Sequence, residues 1–583
     1  MELLKKIYAS RFFWIVALII FLVICWGSSS VHYTLDLTAE KRFSLGEPTK
    51  NLLNNLDTPI QIQVFLAGDL PADYKKLAMS TKDLLDEFRD ISHNEVRVNF
   101  EVPGEGLPDS SKAMLYDSLQ RMGVVFETNE DFSDNSGKAT RQIIIPSAIV
   151  TYKNLRPYVI DLRSSKTVFK TYNVINDQPT EDKEATLNAA EALLEFKFAN
   201  AIEKLTRQYI PTIAYAVGNG EPVDLRINDL GESLRNDYRL GIFDLSSFYP
   251  RADQIDAMLI VKPTKPFSDE DKLKIDQYIM HGGKVIWCID KLYAELDSLM
   301  RSQADFIAYD RNLNIDDILF KYGVRINGDL LQDLNCSKIP IVVGQNPDGS
   351  PRFQRIPWPY YPFVSSTNDN LISKNLDRVL TIFPSSIDTV KAPGIRKTIL
   401  LASDTNSRVL SSPAMVSLNS VKDDADFLTF NQSHLPVAVL LEGKFPSLFA
   451  NRLTHAQEDT VEMQLGKPFA PVSNETKQIV VSDADLVTNA VSATSGPLQM
   501  GMLPFENYRF ANREFLLNCV DYLVSNSGIF AARNKDFTLR LLDKKKVESQ
   551  KLTWQLINII LPIILVIIFG FIYQEIKRKK FSR

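Results

Sequence analysis

Residues 257–289 read AMLIVKPTKPFSDEDKLKIDQYIMHGGKVIWCI, in which a helical pattern separates two short apolar runs. The runs AMLIV (257–261) and VIWCI (285–289) are apolar throughout, as in strands that are covered on both faces of a parallel sheet. Between them, Ser268 and Asp271 form a capping box at the start of a predicted helix, and a glycine pair ends it. The stretch therefore predicts a doubly wound α/β unit.

The same alternation continues upstream of this stretch. Four features are predicted there in order: a strand over Thr212–Val217, the loop GNGEP at 218–222, a helix at 227–239 and a strand at 242–245. Downstream the signals weaken: NPDGSP (346–351) is typical of a hairpin turn and IPWPYYP (356–362) of a proline-aromatic loop. Further short apolar runs predict an α/β body over 210–530, most clearly defined over 210–290.

The loop GNGEP, called the glycine loop below, is the candidate ligand-binding or partner-binding site. It contains Gly218, Asn219, Gly220 and Glu221 and directly follows a predicted central strand. Open parallel sheets bind ligands at the carboxyl ends of strands, at a topological switch point. The loop is too short to cradle a phosphate group. The alternative is a glycine turn that carries a solvated carboxylate.

No catalytic residue, metal site or cofactor is predicted. Cys288 ends a strand, but its neighbours are too bulky for a nucleophile elbow, and Asp483 with Asp485 is more typical of a turn cap than of a cation site. The histidines lack the spacing of a metal site. Two interpretations remain for Cys288, Cys336 and Cys519. Either two of them form a disulfide, or all three are buried as free thiols.

The segment before the α/β body predicts a smaller α/β domain at 34–178. Its strand, helix, strand order is similar to a thioredoxin-like fold, but the CxxC motif of redox members is absent. An amphipathic helix at 179–209 connects it to the larger body.

Both ends of the sequence carry apolar segments long enough to cross a bilayer. The first span is predicted at 12–33, after a basic segment at 1–11, and the alternative for this segment is a cleaved signal peptide. The second span is predicted at 553–573, after a return segment at 531–552. Because positive flanks stay inside, both termini are predicted to be cytoplasmic, with the basic tail at 574–583. The large body then lies outside the cytoplasm, which in a bacterium predicts an inner-membrane protein with a periplasmic body.

Charge limits the range of partners. The formal net charge is −5, which provides no global positive field, so nucleic acid is excluded as a partner. The basic run 577–580 is either a topology signal or a contact for anionic membrane lipid.

Several motifs, in order along nearly the whole chain, resemble the GldG family of gliding-motility-associated ABC transporter proteins. They are LDLTAEKRFSLGEPTKNLLNNL (35–56), GNGEP (218–222), PFVSSTND (362–369), VVSDADLVTN (480–489), NREFLLNCVDYL (512–523) and LLDKKKVESQKLTWQLINIILPIIL (541–565). Related loops often read GHGE, whereas this chain has Asn219 at the second position. A role that needs an imidazole there is therefore not supported.

The resemblance implies an auxiliary or substrate-binding subunit that works with a separate permease and ATPase. It also implies a glutamine-amidotransferase-like central domain without the catalytic elbow, similar to one in an intraflagellar-transport protein. The sequence lacks a Walker motif, which agrees with a non-catalytic subunit. The alternatives are a scaffold that docks envelope, motility or secretion proteins, and a membrane-tethered hydrolase dependent on Cys288.

Overall fold

The computed structural model describes Leu18 and residues 44–131, 140–164, 166–168, 181–295, 305–418, 424–506, 508–525, 528–534 and 544–581. The chain divides into two compact units, Met1–Lys535 and Asp536–Arg583. Apart from Leu18, the predicted first span at 12–33 lies outside the described residues.

The helices and strands are numbered in chain order. The helices are α1 Glu47–Asn54, α2 Ala72–Ile91, α3 Asp109–Arg121, α4 Lys183–Thr206, α5 Asn228–Asp237, α6 Asp269–Met280, α7 Asp316–Tyr322, α8 Asp424–Phe427, α9 His455–Leu465, α10 Asn512–Val524 and α11 Lys544–Phe581. The strands are β1 Ile60–Val64, β2 Val96–Phe100, β3 Glu127–Asp131, β4 Thr140–Ile144, β5 Ser147–Tyr152, β6 Tyr158–Asp161, β7 Thr212–Val217, β8 Arg239–Asp244, β9 Ala257–Val261, β10 Val285–Cys288, β11 Leu292–Tyr293, β12 Phe306–Asp310, β13 Val324–Ile326, β14 Asp329–Asp333, β15 Cys336–Gln345, β16 Pro351–Val364, β17 Val379–Leu380, β18 Ile387–Thr389, β19 Ile395–Ala402, β20 Ser407–Ser411, β21 Ala414–Val416, β22 Pro436–Pro446, β23 Val472–Val481, β24 Val491–Ser492 and β25 Gly496–Pro497.

The first sheet has the strand order β2-β1-β5-β6. Strands β1 and β2 are parallel and are joined by α2, so the predicted strand, helix, strand crossover is present. Helix α2 packs through Leu77, Leu85 and Phe88, which are fully buried. Their spacing places them on one face of the helix, and burying such a face is what holds an amphipathic helix on a sheet.

The central sheet has the strand order β19-β22-β23-β10-β9-β7-β8. The strands β8, β7, β9, β10 and β23 are parallel, as predicted, whereas β22 is antiparallel to both of its neighbours. Apolar residues cover both faces: Ile213 and Leu259 belong to one core cluster, and Met258 and Ile260 to the other. This two-sided burial explains why AMLIV is apolar at every position.

The predicted capping box of α6 is confirmed. The Ser268 hydroxyl accepts a hydrogen bond from the Asp271 backbone N–H at 3.1 Å, and the Asp271 carboxylate accepts one from the Ser268 backbone N–H at 3.0 Å. The two bonds satisfy donors that the first turn of a helix would otherwise leave unpaired.

The proline-aromatic segment IPWPYYP was predicted as a loop, and this is wrong. It lies within β16, which pairs antiparallel with β15, and the intervening turn at 346–350 is the predicted hairpin. Trp358, Tyr360 and Tyr361 are buried in a third core cluster. Burial of large aromatic side chains favours the strand, although each proline removes a backbone donor.

Helix α4 corresponds to the connecting helix predicted at 179–209. It contacts elements of both sheets. Its Glu195 carboxylate accepts hydrogen bonds from the Gly46 backbone N–H at 2.7 Å and the Thr49 hydroxyl at 2.8 Å. Near the C-terminal end of the helix, Lys204 forms ion pairs with Asp237 of α5 at 2.7 Å and with Asp521 of α10 at 3.2 Å. The helix is therefore fixed by charged side chains at its middle and at its C-terminal end.

The second unit contains helix α11. Within it, Trp554–Lys579 is long and apolar enough to cross a membrane, by length and composition. All but the first residue of the predicted second span, 553–573, falls inside this segment.

Candidate functional site

The glycine loop lies at the carboxyl end of β7, at a switch point of the central sheet. From β7 the chain goes first to β8 on one side and then to β9 on the other side. Gly218 and Gly220 have φ angles of +133° and +83°, a region that side chains with a Cβ atom rarely adopt. The two glycines therefore allow the chain to turn sharply where open α/β sheets bind ligands.

Hydrogen bonds join the loop to the segment that follows β9. The Asn219 carbonyl accepts from the backbone N–H groups of Thr264 and Lys265 at 2.9 and 2.8 Å. The Glu221 carboxylate accepts from the Asn219 backbone N–H at 2.8 Å. At the end of the loop, the Tyr215 hydroxyl donates to the Pro222 carbonyl at 2.7 Å. These bonds fix the conformation of the loop.

The two polar side chains of the loop are buried. Asn219 is 4% and Glu221 7% exposed, so Glu221 is not the solvated carboxylate of the alternative interpretation. Burial raises the pKa of Glu221. The Asn219 side-chain carbonyl oxygen accepts no hydrogen bond from any described residue. A donor group of a ligand or partner would satisfy that oxygen.

Replacing Gly220 by Ala should lower the free energy of unfolding by about 1 to 3 kcal/mol, the usual cost of such strain. The positive φ angle is unfavourable for Ala, and a Cβ atom there would lie 2.2 Å from the Thr264 hydroxyl oxygen. Urea denaturation measures the change. Gly241→Ala is the matched control, because a Cβ atom there meets nothing within 4 Å. Equal unfolding midpoints for the two variants would contradict the prediction.

Beside the loop, three carboxylates surround one lysine at the ends of the neighbouring strands. Asp290 follows β10, Asp483 and Asp485 follow β23, and Lys262 follows β9. The Lys262 ammonium lies 3.2 Å from Asp290 and 2.5 Å from Asp485. Burial raises the pKa of Asp290 and of Asp483. We call Asp290, Asp483 and Asp485 the acidic cluster.

The acidic cluster offers three carboxylate oxygens to a cation, but the Lys262 ammonium already pairs with two of the three carboxylates. Burial opposes the charge of Lys262, yet Asp290 and Asp485 raise its pKa, so the ammonium remains charged. Asp483 also accepts a hydrogen bond from the Asp485 backbone N–H at 2.8 Å. That contact caps the short 3-10 turn Ala484–Leu486, as predicted for this DxD motif.

Cys288 and His281 are not arranged as a nucleophile and its base. His281 precedes β10 and Cys288 ends it, so the strand places them about 10 Å apart or more. Burial raises the pKa of the Cys288 thiol, which opposes formation of the reactive thiolate. In the described part of the chain Cys288, Cys336 and Cys519 are free thiols.

Two cavities lie between the region of the first sheet and the helices that lie beside the central sheet. One, of about 670 Å³, is lined by residues that include Tyr74, Arg163 and Tyr508. The other, of about 560 Å³, lies between the β5–β6 turn and helices α4, α5 and α10; we call it the basic cavity. Glu221 lines neither of them.

The basic cavity was not predicted from the sequence. Its cationic side chains are far apart along the chain and come from different elements: Arg156, Lys204, Arg207, Arg235, Arg239 and Arg513. No local motif contains more than two of them. Only the packing of α4 between the two sheets brings them together, so a single sequence carries no signal for this site.

Comparison with known proteins finds sequence similarity to one relative over nearly the full length of the chain, and weak structural similarity to solved structures. An uncharacterized protein of Borreliella burgdorferi is 18% identical over an alignment of 578 positions that covers 96% of each chain. The solved mmIFT52 N-terminal domain, at 10% identity, covers 54% of this chain and 97% of its own with a TM-score of 0.29. An exo-β-1,4-mannosidase from Opitutaceae bacterium strain TAV5, at 9% identity, covers 76% of this chain and 51% of its own with a TM-score of 0.20. Structural similarity at this level carries no information about function.

Two family models match the sequence. Residues 39–151 match a domain of unknown function. Residues 210–519, more than half of the chain, match a model described as an ABC-type uncharacterized transport system. The protein therefore belongs to this family of ABC transporter auxiliary proteins.

Proposed function

We propose that this protein is a membrane-anchored, extracytoplasmic subunit of an ABC transporter complex that binds cargo or an envelope partner for gliding motility. It works with a separate permease and a separate ATPase and performs no catalysis itself. The observation that carries the proposal is the family match over residues 210–519, which indicates an accessory subunit of an ABC transport system.

The proposed topology places both termini in the cytoplasm of a bacterial cell and the body in the periplasm. The apolar helix that includes Trp554–Lys579 supports the C-terminal anchor. The basic run 577–580 at the end of this helix supports the cytoplasmic position of the tail, where it also meets anionic lipid. The predicted span at 12–33 supplies the second anchor.

The glycine loop is the proposed contact for a ligand or partner in the body. Its position at the switch point and the unpaired, buried carbonyl oxygen of Asn219 support this role. In this proposal the first sheet belongs to a thioredoxin-like domain and the central sheet to a glutamine-amidotransferase-like domain, both without catalytic activity.

Affinity purification in a mild detergent, followed by mass spectrometry, tests the proposal. The full-length chain should recover a multi-span permease and an ATPase with a Walker motif, and deletion of 554–583 should abolish that recovery. A matched control replaces 554–573 by twenty alternating Leu and Ala residues, which preserves a span and removes its specific packing surface. If the deletion variant still recovers both partners, the proposed role of the helix is wrong.

A scaffold that docks envelope proteins is the second candidate, and one surface favours it. Strands β11, β12 and β21 form a small sheet in which Ile307 lies opposite Met415. Ile307, Tyr309 and Met415 are 60%, 55% and 63% exposed. Exposed apolar side chains that adjoin one another are typical of protein interaction surfaces. Recovery of envelope or motility proteins without an ATPase in several detergents would favour this candidate.

A further inference from the structure

The basic cavity is bounded by elements of both sheets. Arg156 lies in the turn between β5 and β6 of the first sheet, and Arg239 begins β8 at the edge of the central sheet. Between them, Lys204 and Arg207 lie at the end of α4, and Arg235 lies on α5. A group bound there would touch both layers of the unit at once.

The charge of the cavity is opposite in sign to that of the protein. Six cationic side chains and one carboxylate, Asp237, are among its described lining residues, whereas the whole chain has a net charge of −5. Two of the six cations are neutralised by ion pairs: Lys204 with Asp237 and Asp521, and Arg513 with Asp229.

The other four cations, all arginines, form no ion pair with a described carboxylate. Arg156 donates to the Asn236 side-chain carbonyl at 3.1 Å, a neutral partner. Arg235 and Arg239 are exposed to the cavity and the solvent around it. Like charges that line one cavity repel each other, and an anion bound there would reduce that repulsion.

Arg207 gives the cavity a fixed donor. Its guanidinium lies 5.3 Å from the centre of the Tyr238 ring, which orients the planar group. Its Nε atom is buried and donates to no acceptor among the described residues. A buried donor without an acceptor is unfavourable, and turning the guanidinium towards an anionic oxygen in the cavity would remove that cost.

We propose that the basic cavity binds a small molecule through phosphate or carboxylate oxygens, held by Arg207 with Arg156, Arg235 and Arg239. Guanidinium groups match such oxygens in geometry as well as in charge. The volume of about 560 Å³ is within the range of small-molecule sites. In the proposed function this anion is the cargo, or part of it, but its binding does not depend on contact with a permease.

Isothermal titration calorimetry on the detergent-solubilised full-length protein tests the site, with inorganic phosphate and citrate as separate probes. Phosphate binding without citrate binding would identify a phosphate site, and the reverse a carboxylate site. Arg207→Gln and Arg239→Gln should each weaken binding of the preferred anion at least about tenfold, the typical loss of one strong charged contact. Affinity should also fall as the salt concentration rises.

Arg251→Gln is the matched control, because Arg251 is exposed and pairs with Asp253 outside the cavity. This variant should bind the anion as the unchanged protein does. If Arg207→Gln fails to fold, Arg235→Gln on the exposed side of α5 replaces it, with thermal unfolding as the check. Absence of binding for both anions at millimolar concentration, or equal affinities in the cavity variants and the control, would overturn the proposal. Neither result bears on recovery of a permease and an ATPase, so the two proposals fail separately.

Discussion

Replacing Lys262 by Met is expected to lower the free energy of unfolding by about 3 to 5 kcal/mol at pH 7.5, the range for breaking a buried ion pair. Lys262 lies 3.2 Å from Asp290 and 2.5 Å from Asp485, and its removal leaves buried carboxylates without their counter-ion. Urea denaturation of the purified protein measures the change. Lys75→Met is the matched control, because Lys75 is 62% exposed and should contribute less than about 1 kcal/mol through its pair with Asp69.

The loss caused by Lys262→Met should also depend on pH. Burial already raises the pKa of Asp290 and Asp483, and without the ammonium these values rise further. A carboxyl group whose pKa is raised in the folded state stabilises the fold at low pH, and that stability is lost as pH rises through the folded-state pKa. The variant should therefore be less impaired at pH 5 than at pH 7.5. A loss of equal size at both pH values would contradict this account of the acidic cluster.

Asp276→Ala is expected to cost about 3 to 4 kcal/mol, since it leaves several buried donors without an acceptor. Asp276 is fully buried on α6 and accepts from the Tyr322 hydroxyl at 2.8 Å, the Ser447 hydroxyl at 2.6 Å and the Leu448 backbone N–H at 2.8 Å. Denaturant unfolding of the variant provides the measurement.

Two controls accompany Asp276→Ala. Asp276→Asn keeps one acceptor oxygen and should lose roughly half as much stability. Asp269→Ala, on the same helix but 83% exposed in its side chain, should lose less than about 1 kcal/mol. If Asp276→Ala and Asp269→Ala unfold at the same urea concentration, Asp276 does not hold α6 to its neighbours.

Local patterns predicted much of the central sheet because each pattern lies within a few residues of the element that it specifies. The runs AMLIV and VIWCI became β9 and β10, and Ser268 with Asp271 caps α6. The segment IPWPYYP was misassigned because its prolines are typical of loops, whereas its aromatic side chains pack into a core formed by distant strands. Packing against distant strands determines the secondary structure of that segment, and a single sequence does not show which distant residues pack together.

The candidate site was predictable only in part, for the same physical reason. The glycine loop is a local motif, and its position after a strand was visible in the sequence. The partner of the DxD motif was not visible, because Lys262 is separated from Asp485 by more than two hundred positions. The basic cavity depends on tertiary packing alone, since its arginines come from elements between positions 156 and 513.

Helix α4 has a mechanical consequence for the body of the protein. Its 24 residues span about 36 Å; Glu195 at its middle holds Gly46 and Thr49, and Lys204 near its C-terminal end holds Asp237 and Asp521. A helix held by such contacts does not bend like a flexible linker. A displacement of the segment around Gly46 and Thr49 is therefore passed to α5 and α10 through one continuous helix.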